Sequence, residues 1–230
     1  MARAETLATH YGLTITAKLE ASEVCQLVVM PHHIECRMPG LAKPLRIDLA
    51  QGKAKYRSQP AWDHPLVRSV GVKAPATVLD LTAGLGDDAF LLASLNYQVV
   101  MLERHPVVAI LLADALQRLQ QHPVNLQLSL HHIEAKDYLE HITIKPEIII
   151  YDPMFPKQKR HQAKVKKGMQ VLQHLVTYDN DTEEIFQLSL ACAQKRVIVK
   201  RPKSAPPIAH KTPSFAITTR NFRFDGYVIN

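Results

Sequence analysis

Residues 152–156 (Asp-Pro-Met-Phe-Pro) place a carboxylate, a proline-stiffened backbone and an aromatic ring within five positions. The exocyclic amine of a nucleobase is a weak nucleophile, because its lone pair is delocalised into the ring. A carboxylate at Asp152 and the backbone carbonyl of Pro153 could accept both amine hydrogens and localise that lone pair, while Phe155 could stack on the base. The segment therefore predicts an amine-binding pocket. A stiff turn with Phe155 in the core is an equally good interpretation of the segment alone.

A second segment, residues 78–90 (VLDLTAGLGDDAF), has the pattern of a strand, a short loop and a helix, and holds two of the chain's eight glycines, Gly84 and Gly86. Glycine lets a ligand approach the backbone closely, and open α/β sheets bind ligands at the carboxyl ends of their strands. Glu103 closes the next strand, 23 residues after Asp80, where a carboxylate can accept both hydroxyls of a ribose. We therefore predict a nucleoside site that includes Asp80, Gly84, Gly86 and Glu103. An ordinary tight turn with a solvent-exposed glutamate is the alternative.

Two acidic residues, Asp87 and Asp88, follow these glycines in the first turn of the predicted helix. A dinucleotide site usually has a third glycine and holds pyrophosphate at the helix N-terminus. This chain has Ala89 at that position, and the two carboxylates would repel a phosphate. They suit a cationic nucleoside such as S-adenosylmethionine, with its ammonium and sulfonium groups. Stabilisation of the helix dipole is the simpler alternative, but the pair favours S-adenosylmethionine over NAD.

A basic tract directly follows the amine-binding segment, and no acidic residue occurs between Asp152 and Asp179. Six basic residues fall within eleven positions: Lys157, Lys159, Arg160, Lys164, Lys166 and Lys167. Beside a base pocket they could hold the phosphates that flank a target nucleotide, and Lys200 and Arg201 could extend that surface. We therefore predict a nucleic-acid-binding surface, with a solvated helix face as the alternative.

The overall charge is distributed unevenly along the 230 residues, which carry a formal charge of +7. Residues 1–76 hold ten basic and six acidic side chains, residues 77–150 four and nine, and residues 151–230 fourteen and six. This pattern is consistent with a polyanion at the basic ends and a neutral or cationic ligand in the acidic middle. At 47% hydrophobic and 21% charged residues, the chain can form a packed core.

The sequence lacks the signals of membrane, secreted and metal-binding proteins. No stretch approaches the roughly 18 apolar residues of a membrane helix, and the first residues lack the continuous apolar core of a secretory signal. Three cysteines without a C-x-x-C pair argue against a disulfide framework or a zinc site. The twelve histidines lack the spacing of metal ligands. We therefore expect a cytoplasmic protein with no membrane segment and no metal.

The patterning changes at residue 76, where we predict a boundary. Residues 1–76 form a small β-rich region and linker, with a hairpin at 25–30 and 33–38, a third strand at 46–50, a loop at 59–65 and a short helix at 64–71. Residues 77–230 alternate strands at 78–81, 98–102, 126–132, 148–151 and 196–200 with helices at 88–95, 107–121, 164–177 and 181–192, and end in an antiparallel pair at 216–219 and 222–229. The alternation predicts an α/β fold, with a parallel sheet covered by helices on both faces.

Five motifs resemble, in their order along the chain, those of the ribosomal RNA small subunit methyltransferase J family: DLTAGLG (80–86), Glu103-Arg104, DPMFP (152–156), VKKGM (165–169) and VIVKRP (197–202). The resemblance covers roughly residues 46–227. DPMFP is the most specific of them, since many methyltransferases carry Asn/Asp-Pro-Pro-Tyr/Phe instead. The resemblance implies a Rossmann-like class I fold and transfer of a methyl group from S-adenosylmethionine to N2 of a guanine in 16S ribosomal RNA, free or in the 30S particle. The basic tract, Lys200 and Arg201 then become candidate RNA contacts.

The resemblance also implies particular cofactor contacts, at Asp87, Asp88, Glu103, Arg104 and Asp152, and after the third strand at Glu134 and Ala135. The family has small hydroxyl residues at those last two positions, so Asp137 is a rival for the contact with the adenine. A second departure lies at residues 58–64 (SQPAWDH), where the family is rich in glycine.

Several functions remain open for the sequence by itself. An NAD-type oxidoreductase could use the same fold, and a non-catalytic RNA-binding module could have kept it. The same methyl transfer could act on another base amine or on a protein amide, since guanine is implied by the resemblance alone. The sequence predicts no oligomeric state.

Overall fold

The computed structural model describes residues 2–16, 25–38, 43–49, 61–122, 125–154 and 181–229. The helices and strands in chain order are α1 (Ala2–Tyr11), β1 (Gln26–Val29), β2 (Ile34–Arg37), α2 (Pro65–Val70), β3 (Thr77–Asp80), α3 (Asp87–Ser94), β4 (Gln98–Glu103), α4 (Pro106–Leu119), β5 (Leu128–His132), α5 (Ala135–His141), β6 (Ile148–Tyr151), α6 (Thr182–Cys192), β7 (Arg196–Pro202), β8 (Phe215–Thr218) and β9 (Phe222–Val228). Single 3-10 turns lie at Ala61–Asp63 and Ile208–His210.

Seven of these strands form one mixed sheet with the order β5-β4-β3-β6-β7-β9-β8. The strands from β5 to β7 run parallel to one another, and β9 is antiparallel to both β7 and β8. The chain passes from β3 outward to β4 and β5, then returns to β6 on the other side of β3. Open α/β sheets bind ligands where the strand order reverses in this way, at the carboxyl ends of the strands. The predicted α/β architecture is confirmed.

The central strand and the longest helix show why the sequence folds this way. All four residues of β6 (Ile-Ile-Ile-Tyr) are buried, as expected for a parallel strand covered on both faces. Helix α4 begins at Pro106, where the missing N–H costs no hydrogen bond. Eight of its 14 residues are buried, because it contacts the sheet strands β4 and β5 and also β2.

Most predicted elements agree with the structure, including the β1–β2 hairpin, the short helix α2 and the β8–β9 pair. The predicted third strand at 46–50 is wrong over the described residues 46–49, because Leu45 makes only an isolated bridge with Cys36. Burial does alternate there, at Leu45, Ile47 and Leu49, but no neighbouring strand completes a ladder. Helices α1 and α5 were not predicted, and the predicted helix at 164–177 lies outside the described residues.

The cysteines differ from expectation. Cys25 and Cys36 form a disulfide across the hairpin, with their Cα atoms 6.3 Å apart, where the sequence predicted no disulfide framework. Cys192 is a buried free thiol.

Residues before β3 pack into the same hydrophobic cluster as the sheet and α4. Ile34, Cys36, Leu45, Ile47 and Leu49 all belong to it. The division at residue 76 stays a prediction. None of the described helices has the length and apolar character needed to cross a membrane.

Asp114 on α4 fastens these early residues to the helix. Its side chain is 1% exposed. One carboxylate oxygen accepts a hydrogen bond from Arg3 Nη2 on α1 at 2.7 Å, and the other accepts one from Arg118 Nε at 2.9 Å. Arg118 also donates to the carbonyl of Ile47, so one buried carboxylate connects α1, α4 and the segment after β2.

We expect Asp114→Ala to lower the free energy of unfolding by about 2–4 kcal/mol, because the partly buried Arg118 guanidinium loses its closer carboxylate and keeps the one of Asp48, 4.0 Å away. Urea denaturation measures the loss. The matched control is Glu140→Ala, which breaks an exposed i,i+4 pair with Lys136 at 4.0 Å and should cost far less, because water screens the pair. Equal losses in the two variants would contradict the role given to Asp114.

Candidate active site

Four neighbouring strands, β4, β3, β6 and β7, end at one edge of the sheet with ionisable side chains at or just beyond their carboxyl ends. Asp80 ends β3, Glu103 ends β4, Asp152 directly follows β6, and Lys200 lies near the end of β7. Tyr151 is paired in register with Val199, so the next residues on the two strands, Asp152 and Lys200, are neighbours. Strand register thus brings residues from distant parts of the chain together.

The loop after β3 is built around two glycines that fit a tight turn. Gly84 and Gly86 have φ values of +53° and +79°, a left-handed conformation that glycine adopts without strain. A Cβ on Gly86 would lie 2.8 Å from Leu112 Cδ2 and 3.4 Å from Leu49 Cδ2. The predicted glycine loop is therefore a tight turn packed directly on α4, with its N–H groups close to the strand ends.

Thr82 connects this loop to the segment after β6. Its backbone N–H donates to Asp80 Oδ1 at 3.1 Å, and its hydroxyl oxygen accepts the Asp152 N–H at 2.8 Å. Sequence reasoning missed Thr82. Its only signal was a hydroxyl residue two positions after the last residue of a strand, a common local hydrogen-bonding pattern.

Glu103 is buried, and its carboxylate accepts two backbone N–H groups. The donors are Gly84 at 3.1 Å and His105 at 2.8 Å. Burial raises the pKa of Glu103, while these two hydrogen bonds and Arg104 oppose the rise. A carboxylate has about four lone-pair positions, so Glu103 can order the glycine loop and still accept ribose hydroxyls.

Asp80, Asp88 and Asp152 form an acidic cluster around the ammonium of Lys200. Lys200 Nζ lies 2.9 Å from Asp152 Oδ2 and 3.4 Å from Asp88 Oδ2. Burial, reinforced by Asp88 and Asp152, raises the pKa of Asp80 to about 7. Burial also raises the pKa of Asp152, and Lys200 opposes that rise. Burial lowers the pKa of Lys200, but the two carboxylates outweigh it and leave the pKa above its ordinary value.

The charge of this cluster selects for a type of ligand. Three carboxylates face one ammonium, so the strand ends attract a cation and repel a pyrophosphate. Asp87 and Asp88 are the first residues of α3, with Gly86 as the N-cap. The residues present therefore fit S-adenosylmethionine better than NAD.

The remaining predicted cofactor residues lie beside β5. Arg104 Nη1 is 3.8 Å from Glu134 Oε2, and the Glu134 side chain is 51% exposed. Ala135 is buried as the first residue of α5. Asp137 follows in the first turn. The structure thus gathers Arg104, Glu134 and Ala135 at one end of the site, and their contact with an adenine stays a prediction.

The predicted nucleic-acid contacts divide into two groups. The Lys200 side chain points into the acidic cluster, and Arg201 is 7% exposed and donates to the carbonyl of Pro206. Both residues lie within β7, and neither presents an exposed cation. Phe155 and the tract Lys157, Lys159, Arg160, Lys164, Lys166 and Lys167 lie outside the described residues. Pro153 is buried beside Asp152.

A search of the described residues finds no group of three or more His, Cys, Asp or Glu side chains arranged to hold a metal ion. The cluster at the strand ends contains a lysine where a metal would have to bind.

Comparisons with known proteins place the chain in a family. A family model described as "Putative SAM-dependent methyltransferase" matches residues 6–229. The chain is 42% identical over 215 residues to the ribosomal RNA small subunit methyltransferase J of Tolumonas auensis, covering 89% of this chain and 86% of that protein. It is 37% identical over 237 residues to the protein of the same name from Coxiella burnetii, covering 100% and 93%.

A solved structure is also similar. The crystal structure of the SAM-dependent methyltransferase NGO1261 from Neisseria gonorrhoeae superposes with a TM-score of 0.79 at 29% identity. The match covers 99% of this chain and 92% of that one, so the early residues are included in it.

We expect Gly86→Ala to destabilise the protein more than Gly12→Ala. Both glycines have positive φ, but a Cβ on Gly12 meets nothing within 4 Å. Gly12→Ala should cost about 1 kcal/mol for the left-handed backbone, and Gly86→Ala that amount plus the displacement of Leu112. Thermal denaturation compares the two variants. Equal losses would mean that Leu112 moves aside freely.

Asp80→Asn should change how stability depends on pH. Asp80 has a pKa of about 7 in the fold, against 3.8 ordinarily, so between these values the folded state binds more protons than the unfolded state. Stability due to Asp80 is therefore lost as the pH rises towards and past 7, and the neutral asparagine avoids that loss. The free energy of unfolding of the variant, relative to that of the parent chain, should rise by on the order of 1 kcal/mol per pH unit between about pH 5 and 7.

Urea denaturation at several pH values tests this. The exposed Asp63 supplies the control, because Asp63→Asn removes a carboxylate that keeps its hydration on folding. If the free energy of unfolding depended on pH in the same way for Asp80→Asn and the parent chain, the expectation would be contradicted.

Proposed function

Because the chain belongs to the ribosomal RNA small subunit methyltransferase J family of SAM-dependent methyltransferases, we propose that it methylates the exocyclic N2 amine of a guanine in 16S ribosomal RNA, as free RNA or in the 30S particle. The methyl donor is S-adenosylmethionine, and the site of action is the cytoplasm. The observation that carries the proposal is the convergence of Asp80, Asp88 and Asp152 beside a glycine loop anchored by Glu103.

The glycine loop and the acidic residues near it hold the donor. Glu103 accepts the ribose hydroxyls, and the glycines of the loop let the donor approach the backbone closely. Asp80, Asp87 and Asp88 supply negative charge for a cationic ligand. Arg104, Glu134 and Ala135 lie beside the adenine. When bound, S-adenosylmethionine supplies a methyl group on a sulfonium. The sulfur is the leaving group, and it needs no acid catalyst because it departs as a neutral thioether.

Asp152 and Pro153 hold the acceptor. The Asp152 carboxylate and the Pro153 carbonyl each accept one hydrogen of the base amine, which leaves the nitrogen lone pair directed towards the methyl group. The C–S bond breaks as the N–C bond forms, and the amine then loses one proton to the carboxylate or to water. Phe155 stacks on the base. Most of the rate gain then comes from orientation of the two reactants.

The RNA backbone binds the basic tract after residue 156. Fourteen basic and six acidic side chains in residues 151–230 supply the excess positive charge that phosphate binding requires. Lysine contacts with phosphates position the strand without reading its sequence.

Methyl transfer to purified 30S particles and to free 16S RNA tests the function directly. With tritium-labelled S-adenosylmethionine, followed by nucleoside analysis of the digested RNA, we expect N2-methylguanosine. A methylated adenine would move the activity to another base amine. Absence of labelling, together with calorimetric binding of NAD, would support an oxidoreductase instead.

Asp152→Ala should lower kcat for methyl transfer by about 10²–10³-fold, because one of the two acceptors of the amine hydrogens is removed. Donor affinity, measured by calorimetry, reports separately on the contact between Asp152 and the donor. The exposed Glu140, already used as a stability control, should give wild-type rates when changed to alanine. Full methylation by Asp152→Ala would remove Asp152 from the mechanism.

A further inference from the structure

We propose that Lys200 is a positioning residue of the acceptor site, which holds the Asp152 carboxylate in place in its ionised, hydrogen-accepting form. The inference rests on the proposed function and goes further, because it takes Lys200 away from the RNA phosphates and assigns it to the base pocket.

The geometry begins with strand register. Strands β6 and β7 are parallel and pair up to Tyr151 and Val199, so Asp152 and Lys200 follow as the next neighbours. Lys200 Nζ and Asp152 Oδ2 are 2.9 Å apart, with side chains 24% and 39% exposed. A bond of this length between neighbouring strand ends fixes the direction of the carboxylate.

Helix α3 and strand β9 also contact the lysine. Asp88 Oδ2 on α3 lies 3.4 Å from Nζ, and the ring centroid of Phe222 on β9 lies 5.3 Å from it. An ammonium held in this way by two carboxylates and a ring is poorly placed to reach an RNA phosphate.

The acidic cluster shows why Asp152 needs a cation. Among the described residues, the charged groups that act on Asp152 are Lys200 from β7 and Asp88 from α3, and Asp152 in turn acts on Asp80 at the end of β3. From β9, the contact with Lys200 is the uncharged ring of Phe222. Without Lys200, burial and the neighbouring carboxylates would favour protonation of Asp152.

Protonation would weaken the acceptor. An ionised carboxylate only accepts hydrogen bonds, whereas a protonated one has an O–H donor on one oxygen and an uncharged carbonyl oxygen on the other. Hydrogen bonds to a charged acceptor are about twice as strong as those between neutral groups, so a protonated Asp152 would localise the lone pair of the amine less effectively. Lys200 therefore sets the pH range in which the pocket works.

The test compares Lys200→Met, which keeps the length and removes the charge, with Lys200→Arg, which keeps the charge. Methyl transfer to 30S particles is measured against pH at saturating donor, together with KM for the particles and its dependence on salt. For Lys200→Met we expect the acidic limb of the plot of kcat against pH to shift to higher pH by at least about one unit. At a pH below that limb, such a shift is a tenfold loss of rate. Activity should recover as the pH rises, KM should stay unchanged, and Lys200→Arg should restore the limb.

Lys195 supplies a matched control. It pairs with Glu147 at 2.5 Å, just before the first residues of β7 and β6, so it joins the same two strands at the opposite edge of the sheet. Lys195→Met should leave the pH limb unmoved. If Lys200→Met fails to fold, Lys200→Gln keeps hydrogen bonds to both carboxylates without the charge and serves the same test.

Two results would overturn the inference. A raised KM with a weaker salt dependence and an unmoved pH limb would make Lys200 a phosphate contact. A rate lowered equally at every pH, with no rescue by arginine, would make it a structural support only. Failure of the proposed function itself would look different, because the parent chain would then label no RNA.

Discussion

Within the described part of the chain, three carboxylates crowd the ends of β3 and β6 and the start of α3, and one lysine ammonium holds two of them together. Burial, reinforced by the like charges of Asp88 and Asp152, raises the pKa of Asp80 to about 7. The contacts from Lys200 to Asp152 and Asp88, at 2.9 and 3.4 Å, offset part of that repulsion. The parallel register of β6 and β7 makes those contacts possible, so the electrostatics of the site depend on the topology of the sheet.

Hydrogen bonds to backbone N–H groups connect the ends of β3, β4 and β6. Thr82 joins the carboxylate of Asp80 to the backbone of Asp152. Glu103 joins the backbone of Gly84 to that of His105. These bonds use backbone N–H groups that would otherwise be left without partners at the strand ends. Preorganisation of this kind places reacting groups without a further loss of entropy when the ligands arrive.

Local patterns predicted much of this arrangement. The glycine loop, Glu103 and Asp152 follow strands whose apolar runs are plain in the sequence, and the sheet confirms their alignment. Lys200 and Arg201 show the limit of such reasoning. Two adjacent cations after a strand resemble a phosphate surface, and only pairing with β6 and β9, which lie far away in sequence, shows that both face protein groups.

The early residues illustrate the same limit. Alternating Leu45, Ile47 and Leu49 predicted a strand, and their burial alternates as expected, but strand assignment requires a partner that the pattern does not contain. Helix α5 was missed because it is only seven residues long and starts two residues after β5. The disulfide between Cys25 and Cys36 depends on the hairpin bringing the two thiols together, which cysteine spacing alone does not reveal.

Leu49 has a consequence for how the molecule can be divided. Its methyl group lies with that of Leu112 against Gly86, so the glycine loop packs partly on α4 and partly on a segment that precedes the sheet in the sequence. A fragment trimmed to start at β3 would keep every residue assigned to chemistry and yet lose the contact of Leu49 with the glycine loop. Shortened versions or chimaeras of the protein should therefore retain this leucine even though it touches neither reactant.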